Sequence, residues 1–336
     1  MQAPETSPPA RPPYGLQDIF ASVEDELVVV EQILRDKVES NLDLVENSSR
    51  YMYQSGGKRI RPALLLLSSK LFGYQGAVAP AYGAVVEFIH TATLIHDDIV
   101  DEATMRRGQT SVNSLLGNDV TVLLGDYLYI RAIALAIEKG NLKILELICE
   151  ITLGMIEGMI LELTRGGAID ISKEEHLNIL KLKTAYLFRA CGQIGAILAG
   201  ATEEEERIIG AYGTHLGMAF QLVDDVLDFT ADEKVLGKPV LSDLKEGHIT
   251  LPIIYAIRSE PGAVPIIEAV IRTRTIDEQS GKEVLELVRR HDALDKAFEL
   301  AKGYARQARQ VLAPLPHSVH KESLLALADY VVERDR

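Results

Sequence analysis

The sequence predicts an all-α protein, a single large helical bundle. Three observations carry that expectation. Apolar residues recur at helical spacing over residues 16–45, 81–99, 120–137, 142–163 and 208–229. Alternating strand patterns bounded by turn pairs are absent. Of the 13 prolines, five fall between Pro4 and Pro13, and the others punctuate helices. Pro62 and Pro80 suit first-turn positions, and Pro252 follows a glycine-containing loop.

In chain order, residues 1–15 are proline-rich without an apolar run. They read as a disordered or polyproline-like tail, neither signal peptide nor anchor. Residues 16–336 carry no internal repeat and no linker, and read as one domain. Ser172 with Glu175 fits a capping box that opens a helix. Thr202 followed by Glu203 to Glu206 fits an N-cap with acidic residues against the positive helix end. The stretches 81–99 and 208–229 are apolar on most faces, which places them at the bundle centre.

Composition bounds the function. Of the 336 residues, 47% are hydrophobic and 25% charged, enough for a sizeable core and against global disorder. The net charge of −14 repels nucleic acid and anionic membranes, so a phosphate-bearing ligand needs local cations. The longest apolar runs, such as Ala63 to Leu67, are too short to span a bilayer. Two cysteines, Cys149 and Cys191, exclude a disulfide framework and a cysteine-rich metal site. A reducing, cytoplasmic setting is expected.

Two acidic clusters end apolar helices. Asp97-Asp98-Ile99-Val100-Asp101 and Asp224-Asp225-Val226-Leu227-Asp228 both read D-D-x-x-D. Residues four apart on a helix lie about 40° apart around the axis and about 6 Å along it. Asp97 therefore shares a face with Asp101, and Asp224 with Asp228. Adjacent carboxylates at an apolar helix end repel and resist desolvation. Divalent cations offset both, and hard oxygen ligands with room for water and phosphate suit Mg²⁺. A lone pair of this kind is usually a solvated face. Two copies without interleaved lysines point to metal.

The stripes extend inward. His90, Thr93, Asp97 and Asp101 share one face, and Gly217, Gln221, Asp224 and Asp228 another. If the helices face each other, carboxylates ring the mouth of a cavity with small or polar groups below. Basic segments lie nearby in sequence. Gly56 to Pro62 (GGKRIRP) places flexible backbone and three cations before a helix start, a phosphate-holding arrangement. Arg106-Arg107-Gly108, Lys183-Thr184 and Lys238 add charge.

These motifs closely resemble those of the trans-isoprenyl diphosphate synthases, the polyprenyl synthetase family. The matching segments are GGKRIRP (56–62), HTATLIHDDIVDEATMRRG (90–108), GDYLY (125–129), KTAYLF (183–188), FQLVDDVLDF (220–229) and GKPVLSDLKEGHITLP (237–252). They stand in family order, and the ending ERDR resembles the branch that makes octaprenyl diphosphate. The resemblance implies the isoprenoid synthase fold, an all-α homodimer with a deep central cavity. It implies Mg²⁺, three ions with substrate bound, held by Asp97, Asp101, Asp224, Asp225 and Asp228, with Asp98 supporting. It places isopentenyl diphosphate on Gly57, Lys58, Arg61, His90 and Arg107. The allylic diphosphate falls to Arg106, Lys183, Thr184, Gln221 and Lys238.

The implied reaction is successive head-to-tail condensation of isopentenyl diphosphate with an allylic diphosphate. Metal and the cations Arg106, Lys183 and Lys238 would stabilise the departing diphosphate. The family's proton acceptor is that diphosphate. Short-chain relatives place bulky aromatics at the positions of Ala92 and Thr93, and a two-residue insertion in the first motif marks bacterial short-chain types. Neither is present here, so a long product, hexaprenyl to decaprenyl with octaprenyl favoured, is expected. Ile133, Ala136 and Ile137 are candidate floor residues. Each isoprene unit adds roughly 4 kcal/mol of burial, so slow release eased by peripheral membrane contact is expected. Three positions depart from the family pattern: His248 for lysine, Met159 for a polar residue, and Glu162 for Gln or Asp. The competing readings are a shorter-chain synthase, a subunit of a heteromeric synthase, a terpene cyclase and a helical scaffold.

Overall fold

The apolar stretch at 16–45 is not one helix. It forms α1 (Leu16–Phe20), a 3₁₀ turn (Ala21–Val23) and α2 (Glu24–Lys37), and its last residues begin α3 (Asp43–Gln54). Apolar periodicity continues through breaks that keep the same face inward, so it overstates helix length. The computed structural model describes residues 15–38, 42–54, 57–106, 108–230 and 240–334. The proline-rich tail expected at 1–15 falls outside them except for Gly15.

The remaining long stretches form helices within a few residues of the expected bounds. They follow as α4 (Ile60–Leu71), α5 (Ala79–Val100), α6 (Val112–Leu116), α7 (Asn118–Lys139), α8 (Leu142–Arg165), α9 (Lys173–Leu180), α10 (Tyr186–Ala199) and α11 (Glu203–Thr230). A smaller set closes the chain: α12 (Ser242–Glu246), α13 (Leu251–Ser259), α14 (Val264–Thr273), α15 (Glu278–Arg290), α16 (Ala293–Val311) and α17 (Val319–Glu333). Pro80 and Pro252 sit in first turns. Ser172 and Glu175 form the expected capping box, as Ser172 Oγ accepts from Glu175 N–H and Glu175 accepts from Ser172 N–H. Thr202 and Glu205 do the same before α11.

Two features lay outside the sequence expectation. A two-residue antiparallel pair, β1 (Met105–Arg106) and β2 (Gln109–Thr110), turns at Gly108, whose φ of +75° is left-handed. Strands this short show no alternation to read. Lys181–Ala185 is a π-helical segment between α9 and α10. Such bulges gather at functional sites because they turn side chains out of helical register.

Helix α5 is buried at every residue from Ala79 to Ile89, as its apolar sequence requires. It packs on α4 and α7, α10 packs on α4 and α11, and α8 reaches α7, α10 and the π segment. These contacts close a ring of helices. Glycines permit its closest approaches. A Cβ on Gly217 of α11 would lie 2.7 Å from Ala185 Cα, and one on Gly158 of α8 would lie 2.7 Å from Leu182 Cβ. The π segment is thus gripped from both sides. Gly217, expected to line a cavity, serves this contact instead.

Gly217→Ala is expected to lower unfolding stability by about 1–3 kcal/mol through overpacking. Gly262→Ala, with nothing within 4 Å of the added atom, should change it little. Urea denaturation of both variants checks this.

Candidate active site

The helix ring encloses an open cavity of about 750 Å³. Asp97 and Asp101 line it from α5 and its C-terminus, and Gln221, Asp224 and Asp225 from α11. Both acidic clusters therefore face one space, which meets the condition set for their stripes to form a cavity mouth. Gly57, Lys58 and Arg61 line it from the start of α4, with His90, Thr93, Arg106, Lys183 and Thr184.

Each acidic group has a resident partner. Lys183 Nζ lies 2.6 Å from Glu162 Oε2 and 3.3 Å from Asp97 Oδ1. Burial opposes the Lys183 charge, but Asp97 and Glu162 outweigh it and raise its pKa. Burial raises Asp97, against the pull of Lys183. Arg106 Nε donates to Asp98 Oδ1 at 2.5 Å. Burial nevertheless pushes Asp98 up to about 6. Asp98 is 4% exposed and does not line the cavity, which fits a supporting role that fixes Arg106.

His248 Nε2 lies 3.2 Å from Asp101 Oδ1, and its Nδ1 lies 3.7 Å from Glu162 Oε1. Burial opposes its charge, yet the Asp101 hydrogen bond and Glu162 lift its pKa to about 9. Burial likewise opposes the Asp101 charge, but His248, Lys183 and Arg106 together hold that carboxyl below its usual value. The histidine that departs from the family lysine thus remains a cation at neutral pH. Asp101, Glu246 and His248 also bring ligand atoms within 4.8 Å of one another.

On the opposite wall, Thr184 Oγ1 donates to Gln221 Oε1 at 2.9 Å, and Gln221 Nε2 to Asp225 Oδ1 at 3.1 Å. His176 Nε2 lies 3.2 Å from Asp225 Oδ2. Arg334 Nη2 donates to Asp224 Oδ1 at 2.7 Å and to the Phe220 carbonyl at 3.0 Å. Its guanidinium lies 3.9 Å from the Phe220 ring centroid. Burial raises Asp224, opposed by Arg334. Near the start of α4, Arg61 Nη1 lies 3.1 Å from His90 Nε2 and its guanidinium 4.6 Å from the Phe188 ring. An arginine only donates, so His90 Nε2 accepts.

Several sequence expectations are placed elsewhere. Asp228 is 1% exposed and does not line the cavity; its carboxylate accepts from Ser242 Oγ at 3.1 Å and Asp243 N–H at 3.4 Å. Ala92 is 3% exposed, packed in the main core rather than on the cavity wall. Ile133 and Ala136 pack on or in the same core, and Ile137 is 58% exposed, so none closes the cavity. The apolar part of the wall includes Leu94, Met155, Met159 and Leu187, with the small Thr93 beside them. Arg107 and Lys238 lie outside the described residues. Sequence reasoning missed His176, Glu246 and Arg334. Arg334 and Glu246 carried a signal, Arg334 by its place in the ERDR ending and Glu246 inside the segment 237–252.

Residues 42–288 match the sequence model of the family described as polyprenyl synthetase. The chain is 38% identical over 326 residues to an octaprenyl diphosphate synthase of Escherichia coli (strain K12), covering 96% of this chain and 100% of that one. Among solved structures, a polyprenyl synthase from Caulobacter crescentus CB15, complexed with calcium and isoprenyl diphosphate, matches with a TM-score of 0.92 at 34% identity. That match covers 96% of this chain and 98% of the other. A decaprenyl diphosphate synthase from Rhodobacter capsulatus matches with a TM-score of 0.90 at 33% identity, covering 96% and 100%.

The His248–Asp101 pair has a pH signature. A histidine raised from 6.5 to about 9 stabilises the fold fully below pH 6.5, and that contribution disappears as pH rises through 9. Wild type should exceed His248→Gln by up to about 3 kcal/mol near pH 6, and the difference should vanish above pH 10. Chemical denaturation across this range measures it.

Proposed function

The chain belongs to the polyprenyl synthetase family, and from that premise we propose how its cavity lengthens a prenyl chain. The protein is a prenyltransferase of the long-chain trans type, elongating an allylic diphosphate with isopentenyl diphosphate. The observation that carries the site assignment is the convergence of two aspartate clusters with Lys58, Arg61, Arg106 and Lys183 on one cavity.

The donor set suits magnesium. Asp97, Asp101, Asp224 and Asp225 offer hard carboxylate oxygens on facing walls, with open space between. Magnesium, when bound, supplies positive charge where the allylic C–O bond ionises. We assign up to three ions, with Asp228 joining once Ser242 and Asp243 release it. Lys183 and Arg106 face the leaving diphosphate, and Lys238 is assigned with them from its motif. Lys58, Arg61 and His90, with Gly57 and Arg107, hold isopentenyl diphosphate. The C–O bond breaks first, leaving an allylic cation and diphosphate. The isopentenyl double bond then supplies the electron pair of the new C–C bond. A proton leaves the adjacent carbon for the departed diphosphate. Leu94, Met155, Met159 and Leu187 keep water from the cation.

For product length we favour octaprenyl. Thr93, one turn inside Asp97, is small and lines the cavity, so the growing chain passes beside it. We read residues 16–336 as one domain, since Tyr304 and Val332 pack both against the main core around α4, α5 and α10 and against the cluster around Leu222 and Phe298, and Leu294 joins that cluster to the one around Ile253 and Val284.

We also propose a homodimer. Leu123, Ile130 and Ile137 of α7 repeat on one face and are 67%, 62% and 58% exposed. Leu153, Ile156, Ile160 and Leu163 form a similar exposed row on α8. Contiguous apolar surface of this kind marks an interface. α7 is the one candidate membrane span among the described residues, with mean hydropathy 1.7 over its most apolar window. A second copy covering these rows fits a cytoplasmic enzyme.

Purified protein with Mg²⁺, farnesyl diphosphate and labelled isopentenyl diphosphate should yield a product near octaprenyl, and Thr93→Phe should shorten it. Lys183→Ala should lower kcat by roughly 10²–10³-fold. No incorporation by the folded chain alone would instead favour a heteromeric synthase. In sedimentation equilibrium, Leu123→Glu/Ile130→Glu should convert a dimer to monomer.

A further inference from the structure

We propose that Arg59, clamped between Glu31 and Glu87, is a positioning residue that aims Lys58 and Arg61 at one diphosphate. This rests on the reading of Lys58 and Arg61 as the isopentenyl diphosphate site, and it adds the device that shapes that site.

Arg59 caps the start of α4 with φ +48° and ψ +31°, a left-handed conformation that a side chain disfavours. Something must over-determine such a backbone for it to persist. Its guanidinium does so by forking between two helices. Nη1 donates to Glu87 Oε1 of α5 at 2.6 Å, and Nε donates to Glu31 Oε1 of α2. The Arg59 side chain is only 13% exposed and that of Glu87 only 7%. An arginine fork fits two carboxylates with fixed geometry, which a lysine does not.

The consequence lies with the neighbours. The left-handed turn lets successive side chains diverge. Ile60 packs in the core at 5% exposure and only borders the cavity, while Lys58 and Arg61 line it with charge. Glu87 also stands one turn before His90 on α5, and His90 receives Arg61 at 3.1 Å. One guanidinium thus ties the loop, α2 and the helix of the first aspartate cluster into a single frame. Arg59 also borders the cavity, but its guanidinium is taken up by Glu31 and Glu87 rather than turned to substrate.

The test separates the two substrates and the two claims. Steady-state kinetics would be run on Lys58→Ala, Glu87→Gln, Arg59→Lys and Arg59→Gly, varying each diphosphate in turn, with thermal unfolding alongside. The clamp predicts that Glu87→Gln and Arg59→Gly raise KM for isopentenyl diphosphate by roughly tenfold or more. KM for the allylic substrate should move less than twofold, and Arg59→Lys should recover only part of the loss. Arg59→Gly is the discriminating variant, because glycine keeps the left-handed turn without strain but lacks the fork. If it binds isopentenyl diphosphate like wild type, or if the allylic KM moves instead, the clamp is overturned. If Arg59→Gly fails to fold because Glu87 is stranded, Arg59→Gly/Glu87→Gln removes the buried charge and the same criterion applies. Lys58→Ala with unchanged KM would overturn the site assignment itself, whatever Arg59 does.

Discussion

Everything near the cavity depends on one constraint: carboxylates at the ends of apolar helices must not be left bare. Isolated charge in such surroundings is expensive, and like charges a turn apart add repulsion. The fold answers residue by residue. Asp97 has Lys183, Asp98 has Arg106, Asp101 has His248 and Asp224 has Arg334. Asp225 is held by His176 and Gln221, and Asp228 by Ser242 and the Asp243 N–H. Six aspartates of two motifs therefore have six distinct arrangements of partners.

Those partners come from far along the chain, and this explains parts of the fold that packing alone does not. The π segment exists between two helices that glycines bring close, and it delivers Lys183 and Thr184 to opposite walls. Lys183 meets α5 and α8, while Thr184 meets Gln221 on α11. The short helix α12 holds Asp228 near its start, and His248 follows its end to meet Asp101. The last described residue, Arg334, stacks on Phe220 and reaches Asp224. The C-terminal helix is thus part of the site, although its sequence is that of an ordinary amphipathic helix.

This also shows what could be read from sequence. The fold class, the central helices and the shared faces of Asp97 with Asp101 and of Asp224 with Asp228 followed from helical periodicity and from spacing within one element. Those are local properties. Glu162, marked in the sequence as a departure from the family pattern, proves to pair with Lys183 at 2.6 Å. His176 was invisible because nothing local distinguishes it from a surface residue, and Glu246 lay inside the matched segment 237–252 without being singled out. Ala92 and Gly217 were misplaced for a related reason. Helical phase gives a face, but a neighbouring helix decides whether that face meets a cavity or another backbone. Asp228 shares the phase of Asp224, yet the chain returning at Leu241 to Asp243 covers it.

The pairing scheme bears on how the proposed reaction can run. A cation locked to a carboxylate is poorly placed to bind a diphosphate, and a carboxylate locked to a cation is poorly placed to bind metal. On the proposed reading, the ligands arrive as a matched set of anionic diphosphate with magnesium. Exchange of partners would then keep the count of opposite charges constant: aspartates would turn to metal while Lys183 and His248 turn to phosphate oxygens. No buried charge is stranded at any stage, so the site can change state without paying the full desolvation cost of its carboxylates. Asp98 is the exception that supports the scheme. It is 4% exposed, pushed up to about 6 and turned away from the cavity. Its partner Arg106 does face the cavity, so Asp98 can hold that guanidinium in place while its neighbours exchange theirs.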